Sequence, residues 1–126
     1  MFDKFKSWFL NKERQKMKLH QHPDAEGEFG LSPTNPLLVE GIPEIYKFLS
    51  LLRLPSGEKV TWQRQKGAIA ENLRVPGAGN MPVVVECFTI NTQSGGYVAD
   101  IYFYPFHTFT FFVPPKGLTI EKDLIV

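Results

Sequence analysis

An α+β domain is what this sequence predicts: a core helix packed on a curved, mainly antiparallel sheet of about four strands, preceded by an N-terminal amphipathic helix. Three observations lead there. Residues 83–90 (VVVECFTI) and 97–104 (YVADIYFY) are two β-rich runs joined by NTQSGG, the composition of a hairpin. Ile45, Phe48, Leu49 and Leu52 recur at i, i+3, i+4 and i+7, the stripe of a helix with one buried face. The chain has 126 residues, of which 43% are hydrophobic and 21% charged, enough for one globular core.

Taken in order, residues 1–19 form the first unit. Phe2, Phe5 and Phe9, with Trp8 beside them, make a short apolar stripe, so a helix is expected over 2–18. Residues 20–36 are punctuated by Pro23, Gly27, Gly30, Pro33 and Pro36 and read as a linker. Residues 37–126 form the body. Leu37 to Val39 suit a short strand. Pro43 and Glu44 suit the first turn of a helix over 43–53, since proline tolerates that position and a carboxylate complements the helix dipole. Pro55-Ser56-Gly57 turns the chain.

Residues 58–66 (EKVTWQRQK) alternate as a strand, with Val60 and Trp62 inward and Arg64 at the inward rim, where it needs a carboxylate or solvent. Residues 67–82 read as a long connection, with a helical turn over 68–73 and an irregular Pro-Gly-Ala-Gly stretch. A phosphate-cradle reading of that stretch fails, because neither the full glycine fingerprint nor a Lys-Ser/Thr pair accompanies it.

In the hairpin, a three-residue loop places Val83, Val85, Cys87, Tyr97, Ala99, Ile101 and Phe103 on the face packed against the core helix. The opposite face then carries Val84, Glu86, Phe88, Ile90, Val98, Asp100, Tyr102 and Tyr104. Residues 97–113 hold eight of the seventeen aromatic residues. Within them TFTFFV has strand composition and continues the sheet, and the tail LTIEKDLIV offers a last strand.

Cys87 is the only cysteine, so no disulfide can form within the chain. The first apolar residues are interrupted by Asp3, Lys4 and Lys6, unlike a secretory signal, and the expected location is cytoplasmic. Residues 1–19 carry six basic and two acidic side chains, while the rest of the chain sums to −3. A mildly acidic body argues against nucleic acid as a partner. The basic aromatic segment 2–18 offers weak contact with an anionic membrane.

No G-x-S-x-G, H-E-x-x-H, Walker loop or C-x-x-C is present, so no catalytic residue and no cofactor is expected. His20 and His22 form an H-x-H pair able to ligate a metal, yet no second pair completes the shell, and no metal is expected. Cys87, mid-strand, is expected to be an inert core residue.

The candidate binding residues are Trp62, Arg64, Glu86, Phe88, Asp100, Tyr102, Tyr104 and His107. An aromatic sheet face carrying a few carboxylates is too apolar to remain in water without a function or a cover. The expectation is a small binding or adaptor protein that engages a protein partner, or a second copy as a homodimer, through that face. Two alternatives stand beside it: a pocket enzyme using Glu86, Asp100 and His107, and a peripheral membrane protein anchored by residues 2–18.

Overall fold

The computed structural model describes residues 19–121, and the helix expected over 2–18 lies outside them. In chain order the elements are β1 (Leu37–Leu38), α1 (Ile42–Leu51), β2 (Leu52–Arg53), β3 (Val60–Ala70), β4 (Val83–Thr92), β5 (Tyr97–Tyr104) and β6 (Thr119–Ile120). Four strands form one sheet in the order β1-β5-β4-β3, and β2 pairs with β6 separately. Within the larger sheet only β1–β5 is parallel. The predicted class, α+β with a mainly antiparallel sheet of about four strands and a helix, is the class observed.

Helix α1 begins where its sequence requires. Gly41 takes a positive φ of 81°, a conformation costly for other residues, and Pro43 occupies the first turn with Glu44. Ile45, Phe48, Leu49 and Leu51 are buried. The helix ends at Leu51, two residues short of the expected end, because Leu52 and Arg53 turn extended and pair with Ile120 and Thr119. Buried Arg53 then folds its guanidinium onto the carbonyls of Ser50 and Leu52, both at 2.8 Å. Those are acceptors that the end of a helix leaves without partners.

Strand β3 runs to Ala70, which corrects the helical turn expected over 68–73. The continuation depends on a bulge: Gln65 pairs with Cys87, but Ala68 pairs with Val85. Gly67 lies inside this irregularity. A Cβ there would meet Val84 Cγ1 at 2.8 Å and the Val85 carbonyl oxygen at 2.9 Å, so only glycine lets β4 come this close.

A second bulge corrects the expected faces of the hairpin. Next to the turn, Asn91 pairs with Tyr97, which has the expected parity. Strand β5 then spends one extra residue, and Ile90 pairs with Ala99, Phe88 with Ile101 and Glu86 with Phe103. A shift of one residue exchanges the faces of one strand relative to the other. Phe88 and Ile90 therefore join Ile101 and Phe103 beneath α1, while Val83, Val85 and Cys87 share the other face with Tyr102 and Tyr104.

Two cores result. The larger holds Ile45, Phe48, Phe88, Ile101 and Phe103, with edge-to-face ring contacts Phe48–Phe103 and Phe88–Phe103 at 5.6 and 5.8 Å. The smaller, on the opposite face, gathers Leu38, Ala70, Leu73, Val83, Val85 and Tyr104. The TFTFFV stretch does not continue the sheet as expected. It straps across the two cores instead: the Phe111 N–H donates to Leu38 O, Phe111 packs on the smaller core, and Phe112 stacks on Phe48.

Residues 20–36, read from the sequence as a linker, are tied to the body. The Tyr102 N–H donates to Gly30 O, and Asn72 Nδ2 donates to the carbonyls of Asp24 and Thr34. Among the described residues no helix is long and apolar enough to cross a membrane.

Candidate functional site

The end of β5 carries Tyr104 onto the face opposite α1, where three loop segments leave a cleft of about 1320 Å³. Residues from the segments 19–25, 74–79 and 106–108 form its walls, with Leu38 and Tyr104 at its base. The Tyr104 ring is buried, and Phe106, 49% exposed, stands edge-on to it at 5.4 Å.

The base of the cleft is a hydrogen-bonded knot on one backbone carbonyl. Tyr104 Oη donates to Arg74 O at 3.0 Å, and His22 Nε2 lies 3.3 Å from the same oxygen. The Asp24 N–H donates to His22 Nδ1 at 3.1 Å, which leaves the His22 proton on Nε2, facing Arg74 O. The His22 ring also stands edge-on to Tyr104 at 5.4 Å. Asp24 Oδ2 is 4.0 Å from His22 Nδ1, too far for a hydrogen bond, so the backbone contact orients the ring. Arg74, part of the cleft lining, donates from Nη1 to the carbonyls of Glu71 and Leu73, both at 2.6 Å. Burial pushes the Tyr104 hydroxyl up from its ordinary pKa, so it remains a neutral donor.

His107 closes one side. Its Nδ1 lies 2.8 Å from Phe109 O, a pure acceptor, which places a proton on Nδ1; in the neutral ring Nε2 is then an acceptor. The Phe109 N–H also approaches Nδ1 at 3.4 Å, an arrangement that needs the other tautomer, and the shorter contact decides. The cleft thus presents two aromatic rings, the acceptors Tyr104 Oη and His107 Nε2, and the exposed Asp24 carboxylate. Such a lining suits an apolar or aromatic group attached to a hydrogen-bond donor or a cation.

The sheet separates the eight candidate residues. Tyr104 and His107 line the cleft. Asp100 and Tyr102 share that face but lie outside the cleft lining. Asp100 accepts from Thr89 Oγ1 at 2.7 Å, and Tyr102 is paired across the strands with Cys87. Trp62, Arg64, Glu86 and Phe88 belong to the helix face. Arg64 meets the carboxylate its position required, donating from Nε and Nη2 to Glu86 Oε2 at 3.1 and 2.9 Å. Phe88, 1% exposed, is a core residue rather than a surface one. Glu86 and Asp100 point to opposite sides of the sheet, so no single cavity gathers them with His107.

His20 and His22 also part company, His20 resting edge-on against Phe29 at 4.7 Å. Among the described residues no three His, Cys, Asp or Glu side chains are gathered as a metal site. Burial holds the His20 imidazole below its ordinary pKa. Burial, then the Asp100 charge, pushes the Cys87 thiol up, as expected of an inert cysteine.

Arg74 and Phe106 are among the cleft residues that sequence reading missed. Arg74 contributes a backbone carbonyl, which no side-chain motif reports, to a histidine 52 positions earlier. Phe106, beside His107 and between two apolar runs, was legible only as one aromatic among many. Comparison with protein-family models, with curated proteins and with solved structures finds no match to this chain.

Proposed function

We propose that this protein is a non-enzymatic binding module whose binding site is the cleft at the end of β5. The observation that carries this reading is the fixed base of the cleft: Tyr104, His22 and Arg74 O hold one another in place beneath the exposed ring of Phe106. A pre-ordered aromatic wall with a few oriented polar groups is the usual composition of a binding pocket. Tyr104 Oη, His107 Nε2 and the Asp24 carboxylate offer acceptors to the cleft, while Arg74 Nη1 is taken up by backbone carbonyls. The ligand is therefore one that brings its own donors beside an apolar or aromatic group, as a basic, aromatic-bearing stretch of a protein partner does. Aromatic contact supplies the affinity, and the acceptors set the orientation.

A fragment screen by 15N-1H correlation spectroscopy on the full chain tests this. Aromatic amines are expected to shift the amides of His22, Gly77, Phe106 and His107 together. Shifts confined to the helix face, around Trp62 and Arg64, would refute the cleft as the site.

A further inference from the structure

We infer that the cleft selects a zwitterionic aromatic group: an aromatic ring flanked by an ammonium for Asp24 and a carboxylate for Arg74. The inference rests on the cleft being the binding site and concerns which class of ligand that site takes.

Arg74 is held at one end only. Its Nη1 donates to Glu71 O and Leu73 O, both at 2.6 Å, which fixes where the guanidinium lies. Among the described residues its other edge, Nε with Nη2, meets no acceptor and no carboxylate within 4.0 Å. That pair of atoms is one a guanidinium offers to a carboxylate. Arg64 uses the same two on Glu86, at 3.1 and 2.9 Å. A half-buried cation, pinned at one nitrogen and open along the neighbouring edge, has little side-chain freedom left to lose when an anion arrives from outside.

Asp24 supplies the opposite charge, and the protein leaves that one open as well. Its carboxylate is exposed, and among the described residues its ionic neighbour within 4.0 Å is His22, whose ring is oriented as a neutral donor toward Arg74 O. The His22 ring lies between the two groups, with the Asp24 carboxylate beyond Nδ1 and the Arg74 backbone beyond Nε2. Among the described cleft-lining residues Asp24 is the one carboxylate and Arg74 the one Lys or Arg, and they do not come within 4.0 Å of each other. The lining therefore sums to no net charge while presenting one uncompensated charge of each sign. An amine alone leaves the Arg74 edge without a partner, and an acid alone does the same to Asp24; a zwitterion compensates both. Tyr104 and the half-exposed Phe106, edge-on at 5.4 Å, provide the wall for the ligand's ring. Two sources carry this chemistry: a free aromatic amino acid, and a stretch of a partner in which an aromatic residue stands between a basic and an acidic one.

The test titrates the full chain, followed by 15N-1H correlation spectra, with tryptamine, indole-3-propionate, tryptophan and the peptide Lys-Trp-Glu blocked at both ends. Tryptophan or the peptide is expected to shift the amides of His22, Arg74, Phe106 and His107 together, and to bind about tenfold or more tighter than tryptamine and indole-3-propionate. Tighter binding of tryptophan assigns the site to a free amino acid, and tighter binding of the peptide assigns it to a partner's segment. Arg74→Gln is expected to erase the advantage over tryptamine, and Asp24→Asn the advantage over indole-3-propionate. Asp24 is exposed, so its variant decides the matter even where Arg74→Gln fails to fold. An undiminished advantage in Asp24→Asn overturns the inference, as does indole-3-propionate binding as tightly as either zwitterion. Tryptamine shifting the cleft amides and binding as tightly as the zwitterions overturns it too, while leaving the binding reading intact. Shifts confined to the helix face, or none with any probe, remove the cleft as the binding site and the inference with it.

Discussion

Tyr104 does two things with one side chain: its ring floors the cleft, and its hydroxyl holds the Arg74 carbonyl. Tyr104→Phe keeps the first and removes the second. The loss expected is about 0.5–1.5 kcal/mol, the net worth of one hydrogen bond, read as a lower midpoint in urea unfolding. Cys87 makes a sharper prediction. With its thiol buried and its pKa raised, it should react with iodoacetamide at pH 8 far more slowly in the folded protein than in guanidinium. Equal rates would contradict the burial of the thiol.

His20 sets a pH dependence whose sign follows from its lowered pKa. The unfolded chain takes up a proton more readily than the folded one as pH falls past the ordinary histidine value of about 6.5. The stabilisation is therefore present above that value and lost as pH drops through it. Comparing unfolding midpoints at pH 7.5 and 5.5, His20→Gln should show a smaller acid loss than the parent chain.

Among the elements, what was legible and what was not divides at two bulges. The helix stripe and the hairpin strands follow from local spacing, and the sequence carries that signal; for Arg64 it left a carboxylate or solvent open, and the structure supplies Glu86. Which residues of β4 share a face with which of β5 does not follow, because one extra residue near Val98 reverses the parity and nothing in VADIY announces it. Gly67 misled for a related reason. A glycine after a polar run reads as the start of a loop, whereas here its missing side chain lets β3 continue.

Both corrections carry predictions at the same scale. Phe88→Ala empties space in the larger core between Tyr46, Ile101 and Phe103 and should cost ~3–5 kcal/mol, seen as a large fall in the unfolding midpoint. A surface residue would give almost nothing. Gly67→Ala must push against Val84 and the Val85 carbonyl and should destabilise by roughly 1–3 kcal/mol, the usual range for overpacking.

Across the whole molecule, the sheet works as a divider. One face is given to α1 and the larger core. Among the described residues the other is covered by the smaller core and by loops drawn from three distant parts of the chain, and the cleft is the space those loops leave. That is why the sequence pointed toward Tyr104 and His107 yet grouped them with Glu86 and Phe88: composition marks an aromatic-rich hairpin, but only long-range contacts, such as the one from His22 to Arg74, decide which rings border open space.

The most direct measurement of the central claim is a titration of the strongest cleft-binding aromatic amine into the parent chain, Phe106→Ala and Trp62→Ala, followed by calorimetry. Phe106 stands at the cleft and Trp62 on the opposite face of the sheet. Affinity is predicted to fall about tenfold or more for Phe106→Ala, a loss of ~1.4 kcal/mol or greater, and to stay within about twofold for Trp62→Ala. Equal losses in the two variants, or a loss in Trp62→Ala alone, would contradict it.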